Sequence, residues 1–296
     1  MVDLHTHSTC SDGTVIPVGL IDEALRQGLY AVALTDHDTV EGNDCFLAAA
    51  AAHGMRAIAG VEISAEYVHP EEATNGRDEG EMHILGYFSR WDADAKAAME
   101  SLTEIRRNRN ERNPLIVRKL QELGCEITYD EIVRHAGNEV VGRPHIAAVL
   151  VEKGIVRTTQ NAFDRYLSRD APAFVSKKIF PADRAVSLIA DAGGVPVLAH
   201  PRTLEIRSDA VLLPLLRTLM ELGLRGIEAY YPIHDARDSE RYVAIARQLG
   251  LLVTGGSDFH GANKPDITLG RGFGRLAVPD DCFDALCAAK CRVPHR

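Results

Sequence analysis

No uninterrupted apolar stretch in this chain approaches the length of a membrane span, and its first residues lack a basic region followed by an apolar segment. A helical bilayer crossing takes about 20 apolar residues. With no secretory leader to read, the expected compartment is the cytoplasm. Cys-x-x-Cys pairs are missing too. The six cysteines, Cys10, Cys45, Cys125, Cys282, Cys287 and Cys291, have neither zinc-ribbon nor redox spacing, so they read as reduced thiols. Basic residues are in deficit, 33 Lys and Arg against 42 Asp and Glu, a net charge of −9. Non-specific grip on long nucleic acid comes from many cationic contacts with phosphate, which excludes a protein that coats it. There is no internal repeat, no low-complexity segment and no sign of an obligate protein partner.

The charge is uneven. Residues 99–171 hold 12 Lys and Arg against 11 Asp and Glu, leaving the remainder at −10. Acidic outer helices and acidic metal ligands account for such an excess, and a small phosphorylated substrate remains compatible with it. With 296 residues at 46% hydrophobic content, the chain is long enough for one α/β barrel with an insert.

Apolar runs of strand length alternate with helical patterns, the βα rhythm of a parallel sheet. Strands are expected near 2–7, 31–36, 56–64, 82–88, 195–200, 226–231 and 252–257. Helices are expected over 17–27, 43–53, 181–192, 212–222 and 239–249, stopped by Gly28, Gly54, Gly193, Gly223 and Gly250. The rhythm breaks between the fourth and fifth strands, where about a hundred residues stand in place of the roughly thirty of a βα unit. Segments 92–123, 129–135, 144–152 and 161–167 read as helices there. The expected division is therefore a barrel from 1–98 plus 172–296 and a helical lid, 99–171, over the mouth. The polar patch 74–81 reads as a loop tip.

Nine potential ligands sit in or beside the strand-like runs: His5, His7, Asp12, His37, Glu62, His83, His200, Asp258 and His260. In His5-Thr-His7 the imidazoles are two residues apart, so on a strand they share a face. In parallel barrels the C-terminal strand ends line the active site. By contrast His53, His69, His135 and His295 fall in helices, loops or the tail and read as surface residues. Imidazole and carboxylate without thiolate suit Mn, Zn or Fe. At about three protein ligands per ion, nine ligands hold three divalent ions, with positions left open for catalysis. Such a centre brings the pKa of a bridging water towards neutrality and neutralises phosphoryl oxygens, making hydroxide the expected nucleophile.

In order along the chain, His5-Thr-His7 with Asp12, Thr35-Asp-His37, Gly60-Val-Glu62, Met82-His83, Ala199-His-Pro201 and Ser257-Asp-Phe-His260 resemble the motifs of the PHP (polymerase and histidinol phosphatase) family, an amidohydrolase-like group. The resemblance implies a distorted (β/α)7 barrel and a trinuclear site, often manganese, zinc or iron, working on phosphoesters. It assigns His5, His7 and Asp258 to one ion, His83 and His200 to a second with Glu62 bridging, and Asp12, His37 and His260 to a third. No ligand position is missing, unlike in metal-free PHP modules. Asp36 and Asp38, flanking His37, read equally as direct or supporting carboxylates.

Phosphate esters also need cations. Arg202 follows ligand His200, Arg143 lies in Gly142-Arg-Pro-His145, and Ser176 and Lys177 stand in Ser176-Lys-Lys178. Arg grips phosphate through paired N–H bonds and Lys as a point charge. Arg202 is thus a candidate catalytic residue beside Asp12, Glu62, Asp258 and His260. The basic run 106–113 ends in Asn113, another candidate contact, and Phe174, Tyr230 and Tyr231 are candidates for stacking on a base. His145, His234 or a metal-held water are open as the leaving-group acid. The insert is similar to that of the PHP branch of 3′,5′-nucleoside bisphosphate phosphatases and 5′→3′ exoribonucleases on short RNA. That implies removal of a 3′-phosphate while Arg143, Lys177 and Asn113 hold the phosphate that stays. The exoribonuclease activity, histidinol phosphatase, a C–N amidohydrolase and a non-catalytic PHP module are the alternatives.

Overall fold

Short apolar strands followed by amphipathic helices lay down the first half of a barrel: β1 (Val2–Asp3), α1 (Pro17–Arg26), β2 (Ala31–Leu34), α2 (Asn43–His53), β3 (Arg56–Tyr67), β4 (Gly80–Phe88) and α3 (Ala93–Met99). The second half comprises β5 (Phe180–Pro181), α8 (Ala182–Asp191), β6 (Val195–Leu198), α9 (Asp209–Glu221), β7 (Gly226–Tyr230), α10 (Ala236–Leu249), β8 (Leu252–Gly255) and α11 (Asp281–Ala288). Between them lie α4 (Leu102–Glu122), α5 (Tyr129–Ala136), α6 (Arg143–Glu152) and α7 (Thr159–Ala162). This computed structural model describes residues 1–67, 80–136, 141–168, 171–175 and 180–289. Most of the expected patch 74–81 lies outside the described residues; its last two, Gly80 and Glu81, belong to β4.

The strands run β1-β2-β3-β4-β6-β7-β8 around the sheet. The ring closes where the Leu4 N–H donates to Gly255 O at 3.1 Å and the Asp258 N–H to His5 O at 2.8 Å. One feature corrects the parallel sheet expected from the βα rhythm: β4 is antiparallel to both neighbours, β3 and β6. Twelve residues, 68–79, separate β3 from β4; that is the bare minimum for a parallel crossover with its helix and ample for an antiparallel return. The reversal pairs Ser64 with His83 and Glu62 with Leu85. It also delivers His83 from the first half of its strand, in contrast to the strand-end position expected of a ligand. A second addition is β5, which pairs with Ala65 and Glu66 of β3 at a point where the pattern predicted the start of a helix. Strand β1 is shorter than the expected 2–7, because beyond Asp3 the backbone makes single bridges, such as Thr6 to Phe259, in place of a regular ladder.

Polar and apolar residues separate along the strands. Val2 and Leu4 precede His5, Val195 and Val197 precede His200, and Leu85 and Tyr87 follow His83 on the reversed strand. These apolar members pack into one buried cluster with Phe283 and Leu286 of α11, which leaves the other ends of the strands polar. A separate cluster joins Leu20, Ile21 and Phe46 of α1 and α2 to Val32 and Leu34 of β2.

The chain divides into two compact units, Met1–Ser101 with Ile179–Arg296, and Leu102–Lys178. The second has its own core, including Leu120, Ile132, Ile146, Val149, Leu150 and Leu167. Among the described residues, Cys10, Cys45, Cys125, Cys282 and Cys287 are free thiols, and no helix is long and apolar enough to cross a membrane.

Leu85 is fully buried at the centre of the barrel cluster. Truncating it leaves a cavity between strands held in register, and such a change costs about 3 kcal/mol. Urea unfolding of Leu85→Ala should show that loss with an unchanged m-value; a midpoint equal to that of the parent would contradict this packing.

Candidate metal centre

The polar strand ends assemble one cluster. His5 and His7 project from the same face with ring centroids 5.2 Å apart, and His7 lies 4.4 Å from His37 and 4.1 Å from His260. Glu62, mid-strand in β3 and buried, stands at the centre. Its Oε1 lies 2.8 Å from His83 Nδ1 and 3.0 Å from His200 Nε2. On its other side, Oε2 is 3.2 Å from the Nε2 atoms of both His5 and His7 and 3.0 Å from His37 Nδ1. Asp258 Oδ1 is 3.2 Å from His7 Nε2, and Asp12 Oδ1 is 3.2 Å from His260 Nε2. All nine residues predicted as ligands are thus brought together.

The atoms converge without satisfying one another. His5 Nε2, His7 Nε2, Asp12 Oδ1, His37 Nδ1 and Glu62 Oε2 are buried, and none has a hydrogen-bond partner despite the short separations. Buried polar atoms are normally paired, so orphaned lone pairs aimed at shared points fit cations. Three sets have ligand atoms within 4.8 Å of one another: His7, Asp12, His37 and His260; His5, His7, Glu62 and Asp258; and His37, Glu62 and His83. The nitrogen and oxygen donors are those divalent Mn, Zn or Fe accept. The residues therefore fit a divalent metal centre.

The charge balance supports this. Burial alone would raise Glu62, but His37, His83 and His5 outweigh it and hold the carboxyl well below its usual range. Asp258 is depressed against its burial by Lys264, His260 and His5, and Asp12 by His37 and His260. Burial opposes charge on His7 and His83, yet the carboxylates prevail and push them up to about 9 and about 10. For His37 burial wins and brings it down to about 4. Glu62, Glu228 and Asp258 likewise raise His5 well above the usual imidazole range against its burial, so in the metal-free protein protons on His5, His7 and His83 do the neutralising that cations would do.

A second layer aims the ligands, a task metal sites usually give to groups behind the histidines. Buried Glu228 of β7 lies 3.0 Å from His5 Nδ1 and accepts the His200 backbone N–H at 2.7 Å, turning His5 Nε2 inward. His200 Nδ1 is 2.9 Å from Thr203 Oγ1, and His260 Nδ1 is 2.8 Å from Asp258 O. Asp258 Oδ2 is held by the Tyr231 hydroxyl at 2.7 Å and Lys264 Nζ at 2.6 Å, which leaves Oδ1 facing the cluster. Asp36 takes hydrogen bonds from Ser8 and Ser11 and so fixes the turn that carries Asp12, while Asp38 accepts from Ser64 N. Both carboxylates support the site in this way. Asp3 accepts from Ser257 N, Ser257 Oγ and Gly270 N, holding the segment before Asp258. Close approach is needed there: a Cβ on Gly256 would stand 2.3 Å from the Cβ and N of His5.

Backbone strain gathers at the same place. His200 (φ 24°), Asp258 (φ 54°) and Asp38 (φ 53°) occupy the left-handed region without being glycine, at a cost on the order of 1–3 kcal/mol each.

The other predicted residues are placed differently. Arg202 pairs with Asp238 of α10 and not with the cluster. Asn113 is buried within the second unit; its Nδ2 donates to Val141 O at 2.6 Å and its Oδ1 accepts from Arg112. Arg143 donates to Leu167 O at 3.2 Å and lies 5.8 Å from the Phe174 ring. Ser176 and Lys177 lie outside the described residues, as do the side chains of Arg106 and 108–110. His145 Nδ1 accepts the Gly142 N–H that opens α6. His234, its Nδ1 2.9 Å from Ala229 O, is pushed down by burial. Tyr230 belongs to the periphery of the apolar cluster.

Sequence reading missed Glu228, Asp3 and Lys264. A carboxylate inside the apolar runs Gly226-Ile-Glu228-Ala and Val2-Asp3-Leu4 is itself a signal, because buried acids are rare without partners. Lys264 gave no local pattern.

Glu228→Gln should keep its fold but lose about 10- to 100-fold in metal affinity, measured by competition with a chelator; unchanged affinity would remove Glu228 from the design. His7 and His83 hold protons at neutral pH and must release them to bind a cation. Apparent affinity should therefore climb about tenfold or more per unit between about pH 6 and pH 8, with calorimetry in buffers of different ionisation enthalpy recording proton release. Uptake independent of pH would contradict the proton inventory.

The PHP domain family matches residues 3–151. The 3′,5′-nucleoside bisphosphate phosphatase of Chromobacterium violaceum is 33% identical over 260 residues, 88% of this chain and 87% of that one. A 5′-3′ exoribonuclease of Haemophilus influenzae is 34% identical over 260 residues, 87% of this chain and 89% of that one. Among solved structures, a candidate metal-dependent phosphoesterase from Bifidobacterium adolescentis superposes with a TM-score of 0.81 at 29% identity, covering 100% of this chain and 98% of that one. Ligand cluster, fold and relatives agree, and the chain belongs to the PHP domain family.

Proposed function

We propose that this protein is a metal-dependent phosphoesterase that removes the 3′-phosphate of nucleoside 3′,5′-bisphosphates, converting adenosine 3′,5′-bisphosphate to 5′-AMP and phosphate. The observation that carries the reading is the convergence of nine N/O ligands with orphaned buried atoms around Glu62. The C. violaceum relative gives the reading its substrate class. Three divalent ions, manganese in the first instance, fill the cluster in this reading, and the free thiols fit the reducing cytoplasm.

Divalent ions held by these ligands supply Lewis acidity to the phosphoryl oxygens and acidify water at the centre. The chain's own contribution is order. Glu228 and Thr203 keep the Nε2 atoms of His5 and His200 inward, Tyr231 and Lys264 keep one oxygen of Asp258 turned to the cluster, and Asp36 sets the turn of Asp12. In the net reaction the oxygen of water bonds to phosphorus, the bond to the 3′-oxygen breaks, and that oxygen gains a proton.

For the phosphate that stays, the reading draws on Arg143, Ser176 and Lys177. Asn113 contributes at one remove, since its amide fixes the carbonyl of Val141 two residues before Arg143. Phe174, beside the Arg143 guanidinium, keeps it company as an apolar neighbour. Arg202, engaged with Asp238, orients the turn behind His200. A second reading, 5′→3′ exonuclease action on short RNA, has the H. influenzae relative in its favour.

Phosphate release with Mn²⁺ from adenosine 3′,5′-bisphosphate, compared with 5′-AMP, 3′-AMP, histidinol phosphate and a 5′-phosphorylated dinucleotide, separates these. Strong preference for the bisphosphate is expected, with Arg143→Ala raising KM about tenfold through loss of a charge-assisted hydrogen bond. Preference for the dinucleotide would favour the exonuclease, and activity on histidinol phosphate alone would overturn the substrate assignment. Asp258→Asn should lose activity and bound metal together while keeping its circular dichroism spectrum; full activity in that variant would sink the site.

A further inference from the structure

Next to the ligand cluster, within the barrel unit, lies a cavity of about 310 Å³ whose lining includes Tyr231, Ile233, Asp258, Lys264, Asp266 and Phe273. Tyr231 and Asp258 belong to both places. The Tyr231 ring sits 5.1 Å from that of His200 and 6.3 Å from that of His5, and its hydroxyl bonds to Asp258. Lys264, on the same carboxylate, stands at the junction. Phe273 and Ile233 are among the most exposed large apolar side chains among the described residues, at 57% and 47%. Both line this one concavity.

The walls are preformed. The turn that carries Phe273 is closed by reciprocal backbone hydrogen bonds between Thr268 and Gly272, each at 2.9 Å. It is tied to the barrel by the Gly270 N–H, which donates to buried Asp3 at 2.6 Å. Asp3 also holds Ser257, so one carboxylate fixes the pocket rim and the segment leading to ligand Asp258.

Given the proposed phosphatase reading, on which this rests, we infer that this cavity receives the nucleobase of the substrate while the scissile phosphate lies at the metal cluster. Ligand sites begin at about 300 Å³, so the space takes one base and not a run of them. Tyr231 and Phe273 offer aromatic faces for a planar ring, and the Lys264 ammonium and Asp266 carboxylate offer a donor and an acceptor to its heteroatoms. A purely aliphatic group would cover those polar atoms without pairing them, at a desolvation cost. Because Tyr231 and Lys264 both grip Asp258, a base seated on them also bears on the ligand they hold.

Two measurements test the pocket. Equilibrium dialysis of adenosine against the metal-free protein reads binding without catalysis. Steady-state hydrolysis compares adenosine 3′,5′-bisphosphate with its abasic analogue, 1-deoxyribose 3,5-bisphosphate. Loss of an aromatic platform costs about 1–3 kcal/mol per base. Phe273→Ala should therefore weaken adenosine binding about tenfold and lower the ratio of kcat/KM for the two substrates by a similar factor. Ile233→Trp, which fills the cavity, should shift both in the same direction. Unchanged adenosine binding and an unchanged ratio in both variants would overturn the pocket, whatever the parent enzyme's rate. If the parent leaves the bisphosphate intact but binds adenosine, and Phe273→Ala weakens that binding, the substrate reading fails and the base pocket stands.

Discussion

Everything at the polar end of this barrel answers to one buried carboxylate. Glu62 has five imidazoles within 3.2 Å of its two oxygens. An acid so enclosed cannot remain ionised without compensating charge, and the fold supplies that charge as protons on His5, His7 and His83 or as cations. Both solutions demand the same geometry: His83 and His200 on one oxygen, His5, His7 and His37 on the other. The two oxygens of one carboxylate thus face two different sets of imidazoles.

Holding that geometry consumes much of the buried polar material of the unit. Glu228, Asp3, Asp36 and Asp38 are all buried, and all accept hydrogen bonds from backbone or hydroxyl groups near the ligands. Three non-glycine residues in the left-handed region lie in the same place. The apolar cluster at the other ends of the strands, with Leu85 and Tyr87 at its centre, offsets these costs. Stability and chemistry are thus segregated along each strand. The Tyr87 hydroxyl, donating to Leu4 O at 2.8 Å one residue before His5, ties the two regions together.

The same economy links the centre to its surroundings. Asp258 gives one oxygen to the cluster and the other to Tyr231 and Lys264, both of which line the adjacent cavity. Asp3 holds the segment before Asp258 and the Gly270 turn at the cavity rim. Ligand orientation and cavity shape therefore depend on shared side chains, and neither can change alone.

The sequence by itself determined which imidazoles and carboxylates gather at the polar end, because such groups next to apolar runs are a local pattern and His5-Thr-His7 needs only the two-residue period of a strand. Helix limits were equally local: Gly54 and Gly250 end α2 and α10 within a residue of expectation. The reversal of β4 was decided by tertiary structure, since an apolar run reads the same in either direction and only pairing with β3 and β6 orients it. So was the supporting layer. Glu228 is 223 residues from His5, and Lys264 stands in no local pattern that would tie it to Asp258. Arg202 shows the converse. Its position beside His200 points to a phosphate contact, whereas in space its guanidinium pairs with Asp238 on α10. Neighbours along the chain fix which groups are available; the closure of the barrel fixes which of them meet.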